Sequence, residues 1–276
     1  MPAPLNAAAQ REFTYRRDDF VRVKEMLFSK AGISLSDSKD ALVYSRLSRR
    51  LRTLKMDSFT QYLDYVVKSD NELEHFINAL TTNLTAFLRE SHHFDALSQY
   101  LKNNPNCKRI WCAASSTGEE PYSIAMTVAA TLGTFNTDIS IIATDIDSNV
   151  LQTAQNGIYP IELTKQLPHS YKTQFLYRGK GSHKGKVKVV DELKKMVRFE
   201  PLNLTSDHWG VSGPLDVIFC RNVMIYFDKN TQKNILQRMV KMLKPNGMYV
   251  AGHSENFSMY PELVTPMGKT IYRPAK

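Results

Sequence analysis

This chain of 276 residues lacks long apolar runs, paired cysteines and a signal-like start. Because no apolar run approaches the roughly 18 residues of a membrane-spanning helix, direct membrane insertion is not expected. The start, MPAPLNAAAQREF, has no basic segment followed by an apolar one, so a cytoplasmic protein is expected. Cys107, Cys112 and Cys220 form no C-x-x-C pair. Reduced, partly buried thiols are therefore expected, and no metal site is predicted.

Acidic residues are outnumbered, with 27 Asp and Glu against 36 Lys and Arg, so the formal net charge is +9. This excess favours an acidic partner, which could be a nucleic acid, a membrane surface or an anionic protein. The charge alone does not choose among the three. The length allows one large domain or two modest ones.

Glycine is scarce at the one turn whose composition suggests a nucleotide-binding loop. The segment 109–131 reads as a buried strand, a turn of small residues and a helix start, with Gly118 as the only glycine of the turn. Dinucleotide binders use G-x-G-x-x-G there, because the main chain must wrap a diphosphate. Glu119 and Glu120 follow directly and would repel phosphates. A nucleoside that carries a cation, such as S-adenosylmethionine, suits this turn better.

A second apolar strand, at 139–144, leads to Asp145. An acid at this distance from the turn can accept hydrogen bonds from both ribose hydroxyls. The alternative is that Glu119 and Glu120 only occupy the first turn of a helix, where the macrodipole favours acids. Pro121, just inside the helix start, fits that alternative equally well.

The periodicity divides the chain into a helical region and an alternating region. Helices without strands are predicted from residue 13 to about 80, over 18–32, 38–55 and 58–68 and again from 71. Strands are then predicted near 109–114, 139–144, 197–200, 216–220, 248–252 and 269–273. Helices are predicted near 119–132, 148–155 and 229–243. This alternation favours an α/β fold with a parallel sheet covered on both faces.

Two basic features lack neighbouring acids in the sequence. The helix at 38–55 has no acid between 41 and 55 but carries Arg46, Arg49, Arg50 and Arg52. Surface helices usually balance such charges with acids one turn away, although a solvated face is the alternative. The second feature interrupts the alternation at about 160–196, where two strand-like runs are separated by Gly179, Gly181 and Gly185. This pattern predicts a small antiparallel insertion with a basic loop.

The chain resembles the CheR-type chemotaxis receptor methyltransferases in a set of motifs. They are TTNLTAFLRE (81–90), the turn at 109–123, ATDID (143–147), PLNL (201–204), FCRNVMIYF (219–227) and GHSENF (252–257). The resemblance covers nearly the whole chain. It implies a class I S-adenosylmethionine methyltransferase with a Rossmann-like doubly wound sheet, an all-α N-terminal domain and a small antiparallel β-insertion. The implied divisions are a helical domain at 1–80, a linker at 81–98 and a methyltransferase domain at 99–276.

The resemblance implies methyl transfer from S-adenosylmethionine to receptor glutamates, which gives glutamate methyl esters and S-adenosylhomocysteine. The implied cofactor-binding residues are Asn83, Thr85, Arg89, Ala113, Glu120, Asp145, Asn203, Leu204, Arg221 and Asn222. Among them, Glu120 would bind the methionine amino group and Asp145 the ribose hydroxyls, with 203–204 beside the adenine. Arg89 and Tyr226 would face the substrate carboxylate.

The same resemblance implies two docking features and a monomer. The helical bundle of a chemoreceptor cytoplasmic domain is the partner implied for Arg46, Arg49, Arg50 and Arg52. A short peptide at the receptor C-terminus is the partner implied for the loop with Gly179, Gly181 and Gly185. Such a peptide could add a strand to an exposed sheet edge.

Other functions stay open on the residues alone. A nucleic-acid methyltransferase would share the fold and suit the positive charge, but no Pro-Cys dipeptide or Asn-Pro-Pro-Tyr-like loop is present. A non-catalytic module could retain the pocket as a remnant. A dehydrogenase is disfavoured by the missing glycines. His253, Ser254 and Glu255 cannot form a hydrolase triad, because consecutive side chains in an extended run point opposite ways.

Overall fold

The computed structural model describes residues 11–275 and divides into two compact units, Met1–Thr81 and Thr82–Lys276. Residues 1–10, on which the expectation of no signal segment rests, lie outside the described residues, as does Lys276. Within the described part, no helix has the length and apolar composition needed to cross a membrane.

The first unit is helical throughout its described part. It contains α1 (Arg17–Ala31), α2 (Asp40–Leu54), α3 (Phe59–Val66) and α4 (Asp70–Leu80). Apolar side chains at helical spacing form its interior, among them the fully buried Phe20, Leu47 and Phe76. Gly32 ends α1 in the left-handed conformation, and its N–H donates to the carbonyl of Phe28. The predicted all-α N-terminal region is confirmed.

Acids from elsewhere in the first unit balance the basic face of α2. Arg50 forms a two-point ion pair with Glu72 at 2.7 and 2.9 Å, and the Glu72 side chain is only 3% exposed. Arg52 pairs with Glu12 at 2.6 Å, and Arg46 donates to carbonyl groups around the end of α4. The prediction of an unbalanced cluster is therefore wrong for Arg50 and Arg52. Their acids lie 22 and 40 positions away in sequence, where a search one helical turn away does not find them.

The second unit combines helices and strands. Its strands are β1 (Arg109–Ala113), β2 (Ser140–Asp145), β3 (Ile158–Pro160), β4 (Leu176–Arg178), β5 (Lys186–Val189), β6 (Val197–Pro201), β7 (Leu215–Cys220), β8 (Leu243–Ala251), β9 (Val264–Gly268) and β10 (Ile271–Pro274). Its helices are α5 (His92–Asn103), α6 (Glu119–Leu132), α7 (Ser148–Asn156), α8 (His169–Phe175), α9 (Asp191–Met196) and α10 (Lys229–Met242).

The large sheet has seven strands in the order β6-β2-β1-β7-β8-β10-β9. The first five are parallel, which confirms the predicted doubly wound α/β fold. The chain adds β2 and β6 on one side of β1 and then β7 and β8 on the other, so the strand order reverses beside β1. Ligands of open α/β sheets bind at such a reversal, beyond the carboxyl ends of the strands.

The far edge of the large sheet departs from the prediction of parallel strands. There β10 is antiparallel to β8 and to β9, and β9 was not predicted. Positive φ angles at Gly268, Lys269 and Thr270 allow a tight turn between β9 and β10. Antiparallel neighbours need only such a turn, whereas parallel neighbours need a crossover segment.

Helix α5 is an addition to the predicted elements, because its first residues fall inside the predicted linker at 81–98. Residues 81–91, which precede the helix, are called the linker below. The buried residues of α5 include Phe94, Leu97 and Leu101, which recur at helical spacing. This helical spacing is visible in the sequence directly after the motif at 81–90, and it would have predicted the helix.

Strands β3, β5 and β4 form a separate antiparallel sheet in that order, which confirms the predicted small insertion. The loop between β4 and β5 contains Gly179, Gly181 and Gly185. Its closure is tight, since a Cβ on Gly179 would clash with the carbonyl oxygen of His183. The hairpin itself therefore requires Gly179, whereas Gly181 and Gly185 have room for a side chain but adopt positive φ angles of 56° and 84°.

The buried ion pair of the first unit gives a stability prediction. We expect Glu72→Ala to lower the free energy of unfolding by about 2–3 kcal/mol, because Arg50 and the Tyr62 hydroxyl lose a buried acceptor. The matched control is Glu12→Ala, which removes the exposed partner of Arg52. Urea unfolding should leave the control at the wild-type value. Equal losses in both variants would contradict the assignment of Glu72 as the buried partner.

Candidate active site at the carboxyl ends of the strands

The carboxyl ends of four parallel strands meet at one edge of the large sheet. Ala113 at the end of β1 pairs in register with Thr144 of β2 and Cys220 of β7, and Asp145 of β2 pairs with Pro201 of β6. Because parallel strands direct their carboxyl ends to the same edge, the segments that follow them are neighbours. The residues predicted to bind the cofactor lie at these strand ends or in the linker before α5.

The turn after β1 is tight. Ala114 and Ser116 have positive φ angles of 57° and 49°, and Gly118 has φ 98°. A Cβ on Gly118 would lie 2.7 Å from the Cβ of Ala154 and 2.7 Å from the hydroxyl oxygen of Tyr159. Only glycine therefore fits at the start of α6. Gly118, the single glycine of this turn in the sequence, is therefore required by the packing.

Asp145 is buried at the end of β2, and the backbone holds its two carboxylate oxygens. Oδ2 accepts the N–H of Ser116 at 2.8 Å, and Oδ1 accepts the N–H of Asp147 at 3.0 Å. Burial raises the pKa of Asp145 above its ordinary value, while these N–H groups oppose the rise. A carboxylate has about four acceptor positions, so capacity remains for the hydroxyls of a ribose.

Asp147, which sequence reasoning did not select, connects the linker to this strand end. Its Oδ1 accepts the N–H groups of Asn149 and Val150 as the N-cap of α7, and its Oδ2 accepts the side-chain amide of Asn83 at 2.9 Å. The carbonyl of Asn83 in turn accepts the hydroxyl of Ser116 at 2.9 Å. An Asp directly before a predicted helix is an N-cap signal that could have identified this residue.

Arg221 is fully buried directly after β7 and connects three segments. Its Nη1 donates to Oε2 of Glu120 in α6 at 2.5 Å, and its Nη2 donates to the carbonyl of Arg89 in the linker at 2.6 Å. The same Nη2 lies 3.2 Å from the carboxylate of Glu90. Burial acts to raise the pKa of Glu90, but the charge and hydrogen bond of Arg221, together with a backbone hydrogen bond from His253, hold that pKa below its ordinary value.

Glu255 organises the loop after β7. Its buried carboxylate accepts the N–H groups of Asn222 (3.0 Å), Val223 (2.9 Å), Met224 (2.8 Å) and Gly252 (2.6 Å). These bonds satisfy the amides of a loop in which Asn222 has φ 58°. Sequence reasoning included Glu255 in a motif but used it only to exclude a hydrolase triad. Its position immediately beyond β8 fits a role in fixing the neighbouring strand end.

The two residues predicted to face the substrate carboxylate make few contacts. Arg89 donates from Nη1 to the carbonyl of Leu84 at 3.0 Å, and its side chain is 36% exposed. It lies between Leu88 and Glu90, both with positive φ. The half-buried Tyr226 ends a short 3-10 helix after β7, and its hydroxyl makes no hydrogen bond within residues 11–275. No hydrogen bond joins the two side chains among the described residues.

The segment after β6 is held beside Asp145 by a backbone bond from Leu202 at 2.8 Å. The side-chain oxygen of Asn203 accepts the N–H and hydroxyl of Thr205, and Leu204 is buried. This contact set folds 203–205 into a compact turn. Among the remaining predicted residues, Thr85 is half-buried in the linker.

The donors and acceptors at this edge fit a cationic nucleoside. Ser115 Oγ and Arg221 Nε are buried without a hydrogen-bond partner among the described residues. Oε1 of Glu120 accepts a hydrogen bond from the Cys112 thiol at 3.4 Å, a weak donor that an ammonium group could replace. With Asp145 at the neighbouring strand end, two acids and small side chains are available in one place. These residues fit S-adenosylmethionine.

Fold and strand-end chemistry together define a methyltransferase that uses S-adenosylmethionine. Family models agree: "CheR methyltransferase, SAM binding domain" matches residues 83–273, and "CheR methyltransferase, all-alpha domain" matches residues 18–81. The chain belongs to the CheR methyltransferase family.

Curated relatives are similar over nearly the full length. Chemotaxis protein methyltransferase 2 of Pseudomonas aeruginosa is 50% identical over 279 aligned residues, which cover 99% of this chain and 98% of that protein. The chemotaxis protein methyltransferase of Escherichia coli is 48% identical over 259 residues, which cover 93% of this chain and 91% of that protein. That of Borreliella burgdorferi is 37% identical over 252 residues, which cover 87% of this chain and 88% of that protein.

Proposed function

We propose that this protein transfers the methyl group of S-adenosylmethionine to glutamate side chains of chemoreceptor cytoplasmic domains, forming methyl esters. The observation that carries the proposal is the placement of Glu120, Asp145 and Arg221 at the converging strand ends of a CheR-family domain. The names of the curated relatives support a role in chemotaxis. The receptor segments that it would modify are cytoplasmic, so we propose that the protein acts in the cytoplasm. We also propose that it is a monomer, which a light-scattering measurement of its molar mass can test.

In this proposal the acids bind the cofactor and the linker encloses it. Asp145 accepts the ribose hydroxyls, and Oε1 of Glu120 accepts the amino group while Oε2 stays on Arg221. The other proposed contacts come from the linker and the strand ends. They are Asn83, Thr85, Arg89, Ala113, Asn203, Leu204, Arg221 and Asn222. Arg221 orients Glu120 through the hydrogen bond from its Nη1 to Oε2 of that carboxylate.

The chemistry needs no general base from the protein. S-adenosylmethionine, when bound, supplies a methyl group on a positively charged sulfur. A glutamate has an unperturbed pKa of about 4.3, so the nucleophilic carboxylate is already ionised at neutral pH. The protein's task is to orient this carboxylate and exclude water. We assign the orientation to one directional contact each from Arg89 and the Tyr226 hydroxyl, since a tight two-point grip would stabilise the reactant and slow attack.

Docking of the receptor is assigned to the exposed part of α2. Arg49 is exposed, and no hydrogen bond or ion pair joins its side chain to any other described residue. Arg52 is exposed but shared with Glu12, whereas Arg46 and Arg50 are partly covered by their contacts in the first unit. We therefore propose that Arg49 contributes most of the attraction to an acidic receptor face, with smaller contributions from Arg46, Arg50 and Arg52.

A methyl-transfer assay separates these roles. Receptor-containing membranes are incubated with radiolabelled S-adenosylmethionine, and base-labile methyl esters are counted. We expect Arg89→Ala to lower kcat about 100-fold and Tyr226→Phe about 10-fold, because an oriented carboxylate loses a contact. The contrast variant Arg49→Ala should instead raise the KM for receptor about 2- to 5-fold at unchanged kcat.

Two outcomes of this assay would contradict the proposal. If the radiolabelled methyl group were found in nucleic acid and not in base-labile protein esters, the protein would be a nucleic-acid methyltransferase. Full kcat in both Arg89→Ala and Tyr226→Phe would remove their assignment to the substrate carboxylate, even if receptor esters were still formed.

The small antiparallel sheet is proposed to tether the enzyme to a receptor C-terminal peptide. Strand β4 is an edge strand, and its residue Tyr177 is 52% exposed. An extended peptide could pair with that edge, near the basic loop that carries Gly179, Gly181 and Gly185. Tethering would raise the local enzyme concentration at weakly bound methylation sites.

Deletion of residues 179–185 tests the tether. Because the loop closes the β4–β5 hairpin, the deletion should reduce capture by an immobilised receptor tail peptide at least about 10-fold. The binding of S-adenosylhomocysteine should be retained and serves as the control for folding. Unchanged peptide capture by the folded deletion variant would refute the tether without affecting the proposed methyl transfer.

A further inference from the structure

Three possible metal ligands lie at the start of α5, outside the groups assigned to methyl transfer. They are Glu90 at the end of the linker and His92 and His93 in the first turn of the helix. One nitrogen from each histidine and one oxygen of Glu90 lie within 4.8 Å of one another. Cysteine spacing predicts no metal site in this chain, and it carries no information about this pair of histidines.

The contacts of His93 favour the tautomer in which Nε2 carries the proton. Its ring is fully buried, and Nε2 lies 2.9 Å from the carbonyl oxygen of Lys269. The hydroxyl oxygen of Thr270 lies 3.1 Å from the same nitrogen. A carbonyl only accepts hydrogen bonds, and in the tautomer that donates to it from Nε2 the other nitrogen, Nδ1, presents its lone pair. Metal-binding histidines commonly donate their second nitrogen to a carbonyl in this way.

The lone pair of His93 faces another acceptor. Nδ1 lies 3.5 Å from Oε2 of Glu90, and neither atom has a hydrogen-bond partner within residues 11–275. The Glu90 oxygen has the Arg221 guanidinium 3.2 Å away as a compensating charge, whereas the lone pair of His93 has no partner among the described residues, which is unfavourable in a buried site. A metal ion satisfies that lone pair and binds the Glu90 oxygen as well. Bonds of about 2.0–2.1 Å in a tetrahedral site place neighbouring ligand atoms about 3.3 Å apart, close to the separation found here.

The third ligand has access to solvent. His92 is half-buried, and with Glu90 it lines an open groove of about 800 Å³ bounded by residues of α5, α6 and α8. An ion could enter from this groove and retain a water molecule as its fourth ligand. Arg221 lies 3.2 Å from the same Glu90 oxygen. A carboxylate oxygen has more than one acceptor direction, so the guanidinium and an ion can share it.

From this geometry we infer that Glu90, His92 and His93 form a binding site for one divalent transition-metal ion of the zinc type. Two imidazoles and one carboxylate suit zinc or cobalt better than magnesium or calcium, which prefer oxygen ligands. Occupation would compete with Arg221 for Glu90 and so couple the ion to the guanidinium that also holds Glu120. The inference does not depend on the proposed methyl transfer.

Metal titration of the untagged, chelator-treated full chain tests the site. We expect one equivalent of Zn²⁺ by calorimetry, and Co²⁺ should give the visible absorption of a tetrahedral complex without a thiolate charge-transfer band. His92→Ala should weaken Zn²⁺ binding at least about 100-fold, because one of three protein ligands is lost. The control His208→Ala, which changes an exposed loop histidine, should bind like wild type.

Folding is checked by thermal unfolding without metal, where His92→Ala should match the wild type because the side chain is only half-buried. Absence of stoichiometric Zn²⁺ binding by the wild type would overturn the inference. Equal Zn²⁺ affinity in wild type and a folded His92→Ala variant would overturn it as well. Cobalt spectra with a thiolate band would place the ion at a cysteine and also contradict it.

Discussion

The buried guanidinium of Arg221 is the interaction on which the site depends. It follows the central strand β7 and binds Glu120 of α6, the main chain at Arg89 and the carboxylate of Glu90. Removing one partner of a buried ion pair leaves the other charge uncompensated, which lowers the stability of the fold. The pairing therefore fixes the start of α6 and the end of the linker against the same strand end. Arg221 therefore compensates the charges of Glu120 and Glu90 and also fixes the position of the main chain at Arg89.

Backbone amides, as much as side chains, determine how the loops at the strand ends are held. Asp145 holds the N–H groups of Ser116 and Asp147, and Glu255 holds four N–H groups that directly follow β7 and β8. Each acid fixes a loop at a strand end, so that loop conformation follows from a buried carboxylate. Mobile loops would bind a ligand weakly, because the conformational entropy that they lose on binding would reduce the affinity. Because these carboxylates hold the loops in place before a ligand binds, less entropy is lost on binding.

Sequence patterns predicted the sheet, the turn at Gly118 and the acid at Asp145, because these depend on local periodicity and short spacing. They missed Asp147 as the link to Asn83, although its capping position was visible, and gave Glu255 no structural role. They also misjudged the α2 face, since the acid that pairs with Arg50 comes from α4. Partners distant in sequence are determined by packing, and no periodicity encodes them. The roles of Arg89 and Tyr226 rest on family resemblance, since their few contacts do not define them.

The central claim is that acids at the converging strand ends hold a cationic nucleoside. Calorimetric titration of S-adenosylhomocysteine into wild type, Asp145→Asn and the control Asp138→Asn tests it most directly, because Asp138 is an exposed acid just before β2. The account predicts that Asp145→Asn loses about 100-fold or more in affinity while the control binds like wild type. Unchanged affinity in a folded Asp145→Asn variant, or no binding by the wild type, would contradict the account.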